Sequence, residues 1–115
     1  MDDFKSKFTE EYRINECKRI INKYPERIPI IVCKDKTCKL VDIDKQKFLV
    51  PRDMNLGQFI YIIRKRIRLD PNEALFVLVN NNLIPGNKIL NEVYENNKDH
   101  DGFLYVTYSS ENTFG

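Results

Sequence analysis

The sequence is poor in the residues from which active sites and metal centres are made. It holds one histidine, His100, and three cysteines, Cys17, Cys33 and Cys38, an odd number without a Cys-x-x-Cys pair. This count argues against a disulfide framework or a zinc site and fits cysteines packed as small hydrophobes. No phosphate-binding glycine loop is present, so nucleotide hydrolysis has no support. Apolar runs such as Phe59 to Ile63 fall far short of the ~20 residues that cross a bilayer. The N-terminal MDDFKSKF lacks the basic and apolar regions of a secretory signal, so the expected compartment is the cytosol, with reduced thiols. Charge of one sign is also lacking: 19 basic residues against 17 acidic leave +2, too little to name a polyanionic partner.

What is present suits one soluble globular domain. The chain has 115 residues, 42% of them hydrophobic and 31% charged, and a domain of this length hides about two-thirds of its unfolded surface. Phe4, Phe8, Tyr12, Cys17, Ile20, Ile21 and Tyr24 form a helical stripe that Pro25 stops, so residues 1–24 read as one or two amphipathic helices. RIPIIVCK follows as a β-branched strand, and Pro29 inside it suggests an edge or irregular strand. KFLVP, Lys47 to Pro51, is a second strand, paired with the first as a hairpin. The pattern Leu56, Phe59, Ile60, Ile63, Ile67, opened by Asn55 and Gln58 as a capping box, predicts the main helix. ALFVLV reads as a buried central strand, Leu83 and Ile84 before Pro85-Gly86 as a short one, Ile89 to Tyr94 as a short helix, and FLYVTYSS as the last strand. Two strands, a long helix and further strands give an α+β fold in the order of a ubiquitin-like β-grasp preceded by two N-terminal helices. The expected division is a helical extension over 1–24, the β-grasp over 25–110 and a tail over 111–115.

Few residues suggest catalysis. His100 lies in DHDG with no nucleophile nearby and reads as a solvated turn, and the same segment lacks the glycine and glutamate of a calcium loop. No metal or cofactor is expected, and no enzyme activity. Arg64, Lys65, Arg66 and Arg68 fall late in the main helix, where cations suit the macrodipole, and no aromatics are interleaved to stack nucleic-acid bases. KFLVP is more informative. Alternation puts Lys47 and Leu49 on one face and Phe48 and Val50 on the other, so both faces carry apolar groups. Either the N-terminal helices cover the second face or a partner does.

The blocks KYPERIPII, DKQKFLVP, GQFIYIIRKRI, LFVLVNN and HDGFLYVTYSSENTFG resemble the autophagy-related ubiquitin-like modifiers of the GABARAP-like group over nearly the whole chain. The resemblance implies that Gly115 is joined through its carboxylate to phosphatidylethanolamine on autophagosomal membranes. The partners it implies are activating and conjugating enzymes, a processing and deconjugating cysteine protease, and cargo receptors bearing an aromatic-x-x-aliphatic motif. Before conjugation the protein is expected to be a cytoplasmic monomer that does not bind nucleic acid. Family peptides add a strand beside the second strand. Carried over by position, Glu16, Ile20, Pro29, Ile31, Lys47, Leu49 and Phe103 resemble the pocket for the aromatic anchor. Phe48, Val50, Pro51, Met54, Phe59 and Ile62 resemble the pocket for the aliphatic one. Lys45, Lys47 and Arg66 would meet acidic residues flanking the motif. Cys33 and Met54 depart from the family's usual Glu and Leu. The alternative is an unconjugated ubiquitin-fold adaptor that binds only motif peptides or cytoskeleton.

Overall fold

The computed structural model describes residues 3–110. Two helices, α1 (Asp3–Lys7) and α2 (Glu10–Lys23), precede β1 (Arg27–Lys34) and β2 (Lys47–Pro51). Then come α3 (Leu56–Arg66), β3 (Phe76–Val79), β4 (Asn82–Leu83), α4 (Leu90–Asn97) and β5 (Leu104–Ser109). This is the order expected from the sequence. The tail 111–115, with Gly115, lies outside the described residues.

The strands form one sheet in the order β2-β1-β5-β3-β4. β1 pairs antiparallel with β2 and parallel with β5, and β5 pairs antiparallel with β3. β1 is therefore an interior strand, not the edge that Pro29 suggested. The reason is directional. The Val32 amide donates to the Gln46 carbonyl at 2.8 Å, so even-numbered β1 residues bond to β2 and odd-numbered ones face β5. The donor that Pro29 lacks points towards β5, and the β1–β5 ladder starts only at Ile30. ALFVLV is likewise displaced from the expected centre: β3 lies between β5 and the two-residue β4, and β5 takes the middle.

α3 is capped as expected, with the Asn55 side chain accepting from the Gln58 amide at 2.8 Å and the Gln58 side chain accepting from the Asn55 amide at 2.9 Å. Its Leu56, Phe59 and Ile63 pack on one sheet face with Ile28, Ile30, Phe48, Val50 and Leu104 in the main core. α3 ends where Arg68, at φ 54°, turns the chain: the Arg68 amide donates to Lys65 at 3.2 Å and the Leu69 amide to Arg64 at 3.0 Å. That pair of bonds is a Schellman cap, with arginine where glycine usually stands.

The other sheet face is covered by α1 and α2. Phe4, Cys17 and Ile20 bury themselves against Ile31, Cys33 and Phe103, with Leu49, Phe8 and Tyr105 at the margin. Phe4 meets Phe103 edge-on at 5.4 Å between centroids. All three cysteines are buried, and none is joined in a disulfide. Burial pushes the Cys17 thiol up to about 11, which suits a packing role.

Candidate peptide-docking edge and its relatives

β2 forms one edge of the sheet, and its register fixes what it offers. Phe48 lies opposite Ile30, in the set that hydrogen-bonds to β1, so the main-chain groups of Lys47 and Leu49 point outward from the sheet. The Leu49 carbonyl accepts from Arg27 Nη1 at 3.0 Å. The side chains divide between faces: Phe48 and Val50 belong to the α3 core, and Leu49 to the cluster under α2. The doubly apolar strand is thus explained. One face is core, and the N-terminal helices cover the other in part, leaving Lys47 and Leu49 half-buried.

The thirteen residues expected to line two pockets sort onto the two sheet faces. Of the aromatic set, Ile20, Ile31 and Phe103 share the buried cluster with half-buried Leu49 beside them, and Pro29 is buried on β1. Of the aliphatic set, Phe48, Val50 and Phe59 are buried in the main core, with Met54 and Ile62 packed at its border and Pro51 exposed. The buried members are packed into the two clusters. Glu16, Lys47, Leu49, Pro51, Met54 and Ile62 are the members that remain accessible.

The expected cations are engaged. Lys47 Nζ lies 2.7 Å from a Glu16 oxygen, and Arg19 grips the same carboxylate through two bonds of 3.0 and 2.8 Å. The Arg19 contact first, and then Lys47, hold the Glu16 carboxyl down at about 2. Arg66 bonds Asp44 at 2.8 Å, lowering the Asp44 pKa. The Lys45 ammonium stands 5.0 Å from the Phe48 ring centroid.

DHDG proves to be more than a solvated turn. His100 is exposed, with Glu10 at 3.1 Å. Asp101 is fully buried at its side chain: it receives Arg13 Nη1 at 2.7 Å, the Phe103 amide at 2.9 Å and the Tyr105 hydroxyl. Burial, and then the bond to Asp101, push the Tyr105 phenol far above its ordinary range. Lys5 Nζ meets Asp99 at 2.7 Å. Asp99 and Asp101 of one turn therefore hold the N-terminal helices through Lys5 and Arg13, and sequence reading missed this. A signal was available: Arg13 lies four residues before Cys17 and seven before Ile20, on the stripe that faces the sheet, and a charge there requires a buried partner.

Residues 12–115 match the family model described as "Autophagy protein Atg8 ubiquitin like". The chain belongs to the Atg8 family. Autophagy-related protein 8B of Oryza sativa subsp. indica is 53% identical over 112 residues, 97% of this chain and 94% of that protein. Autophagy-related protein 8 of Vanderwaltozyma polyspora is 51% identical over 112 residues, 97% of this chain and 95% of its own. Among solved Atg8 structures, that of Trypanosoma brucei ATG8 superposes with a TM-score of 0.93 at 38% identity, covering 100% of this chain and 99% of the other. The fold is accordingly the ubiquitin-like one of Atg8 proteins. Among the described residues no helix is long and apolar enough to cross a membrane.

Proposed function

We propose that this chain is a ubiquitin-like modifier that becomes joined through Gly115 to phosphatidylethanolamine on autophagosomal membranes, and that its β2 edge captures aromatic-x-x-aliphatic peptides of cargo receptors. The observation that carries the second half is β2 itself, an edge strand whose two faces border two separate apolar clusters. A peptide adding a strand beside Lys47 to Pro51 would hydrogen-bond to the outward main chain, and two anchors would reach the two clusters. Leu49 would open onto Ile20, Ile31 and Phe103. Met54 and Ile62 would open onto Phe48, Val50 and Phe59. Lys45, Lys47 and Arg66 would trade their present partners for acidic residues of the peptide.

The first half rests on family membership and on the ENTFG block. An activating enzyme would adenylate the Gly115 carboxylate with ATP, releasing pyrophosphate. Its cysteine thiolate would displace AMP to give a thioester, which passes to a conjugating enzyme. The lipid amine then attacks the acyl carbon, and the thiolate leaves as the amide forms. No side chain of this protein takes part. Glycine suits the step because an acyl carbon without a Cβ can approach a cysteine closely, and Thr113 and Phe114 would be read by the same enzymes. A cysteine protease would reverse the bond. Two acyl chains, at about 0.8 kcal/mol for each buried CH₂, would hold the protein firmly on the membrane.

Reconstitution with the pathway's activating and conjugating enzymes, ATP and phosphatidylethanolamine liposomes tests the reading. The intact chain should give a membrane-bound species of increased mass, Gly115→Ala should slow its formation and deletion of Gly115 should abolish it. A conjugate from the deletion variant, or none from the intact chain where a relative is conjugated, would leave the unconjugated adaptor in its place.

A further inference from the structure

The end of the sheet from which β5 leaves has a chemistry of its own. β1 runs parallel to β5, so the 35–46 loop after β1 returns to this same end. The Asp35 amide donates to the Tyr108 carbonyl at 2.9 Å, and the Tyr108 hydroxyl donates to the Val41 carbonyl at 2.7 Å. Lys39 lines a cleft of about 100 Å³ together with Ser109 and Ser110. Phe76 pairs with Ser109, so the connection from α3 to β3 also ends here. That connection borders a cleft of about 780 Å³ lined by Tyr61, Lys65, Arg68 and Leu69.

The two segments concentrate positive charge: residues 34–46 and 64–73 carry eight Lys or Arg against five Asp or Glu, although the whole chain is only +2. Three of the acids have partners within these segments, two of them occupying Lys34 and Arg66 in turn. Asp42 meets Lys34 at 3.2 Å, Asp44 meets Arg66 at 2.8 Å, and Asp70 accepts from the Asn72 amide at 2.9 Å. Lys36, Lys39, Lys65 and Arg68 are exposed. Each segment borders one of the most exposed large hydrophobic side chains: Val41, 60% exposed, lies within the first, and Tyr61, 59% exposed, lines the larger cleft of the second, with the Lys65 ammonium 5.4 Å from its ring centroid. Scattered cations with an exposed aromatic and an aliphatic tip match the chemistry of an anionic bilayer interface, where Lys and Arg meet the surface potential and tyrosine sits at headgroup level.

We propose that this end is a lipid-contact face that takes anionic phospholipid headgroups on Lys36, Lys39, Lys65 and Arg68, with Val41 and Tyr61 seated among them. The proposal deepens the reading above, since it rests on attachment through Gly115. Five residues follow Ser110 up to that glycine, and five residues span at most about 18 Å. A tether that short keeps the face within about two Debye lengths of the surface and raises its effective concentration there, so individually weak contacts suffice.

The test leaves enzymatic conjugation out. The full chain, extended after Gly115 by a histidine tag, is held on phosphatidylcholine vesicles containing nickel-chelating lipid, with or without phosphatidylserine as a third of the lipid. Amide hydrogen exchange is then followed by segment. Exchange over 35–46 and 67–73 should be several-fold slower on the phosphatidylserine vesicles, with α2, residues 10–23, unchanged. High salt and the K36E/K39E/K65E/R68E variant should each remove the difference, and Val41→Asp should reduce it. Equal exchange on the two kinds of vesicle overturns the proposal. So does slowing by soluble polyglutamate without slowing by vesicles, which would assign the face to an acidic protein. If a variant loses its native circular dichroism, the salt titration of the unaltered chain decides. Because the tag replaces the lipid bond, a failure of conjugation at Gly115 and a failure of this contact give separate results.

Discussion

The Glu16 carboxylate on α2 meets the Lys47 ammonium on β2 at 2.7 Å, joining the N-terminal extension to the strand at the sheet edge. In the free protein, the cation that the proposed docking edge would offer to an acidic peptide flank is already neutralised. Replacing Glu16 by Gln should release Lys47 and tighten an acidic-flanked peptide by about 0.2–1 kcal/mol, the usual range for an exposed pair. Titration calorimetry on both proteins checks this, and the gain should fade as salt is raised.

The same carboxylate predicts an acid-sensitive step. Its folded-state pKa of about 2 lies below the ordinary 4.5, so its stabilisation is present above about pH 4.5 and is lost as pH falls towards 2. Urea unfolding at a series of pH values should show Glu16→Gln less stable than the parent at neutral pH, with the gap closing across that window.

Neighbouring residues of β2 should separate binding from folding. Leu49 is half-buried and Phe48 is 6% exposed. Leu49→Ala should weaken peptide binding by roughly 1–2 kcal/mol. Phe48→Ala should instead cost about 3–5 kcal/mol of stability, because it empties the core beside Phe59. Calorimetry and denaturant unfolding on both variants distinguish the two roles.

Asp101 should be the most sensitive charged position in the described part of the chain. Its side chain is wholly buried and Arg13 is 11% exposed, so Asp101→Ala leaves a nearly buried cation alone, at a cost of about 3–5 kcal/mol. Thermal unfolding measures the loss, and pairing the change with Arg13→Met should recover much of it.

Gly102 has φ +99°, and a Cβ built on it would lie 2.6 Å from the Cys17 sulfur. Gly102→Ala should therefore destabilise by roughly 1–3 kcal/mol. Adding Cys17→Ala removes the sulfur but leaves a tight Cβ contact at 3.3 Å and the backbone strain. Unfolding of the double variant should show partial rescue only.

Much of this fold was legible in the sequence where the deciding contacts are local. α3 could be read because Asn55 and Gln58 cap one another and the apolar residues keep helical spacing. The two-sided character of KFLVP followed from alternation alone. What could not be read depends on distant partners. Pro29 looked like an edge marker because no local feature says towards which neighbour a missing donor points. DHDG looked solvated because Asp101 is buried by Arg13, 88 residues away. The depth of Phe48, Val50 and Phe59 was hidden for the same reason, since alternation assigns a face but not how completely another element covers it.

The last strand of the chain occupies the middle of its sheet, and this orders events during synthesis. Until residues 104–109 are made, β1 has no parallel neighbour, β3 has only the two-residue β4, and Phe103 and Asp101 are not there to receive α1 and α2. RIPIIVCK, among the earliest apolar stretches to emerge, must then wait with one flank unpaired while about 70 further residues are made. Sheets closed by such distant pairings form slowly and expose strand edges to aggregation. A growing chain of this kind would be a natural client for chaperones that shield β-strands, and its sheet would close only after residues 104–109 have been translated.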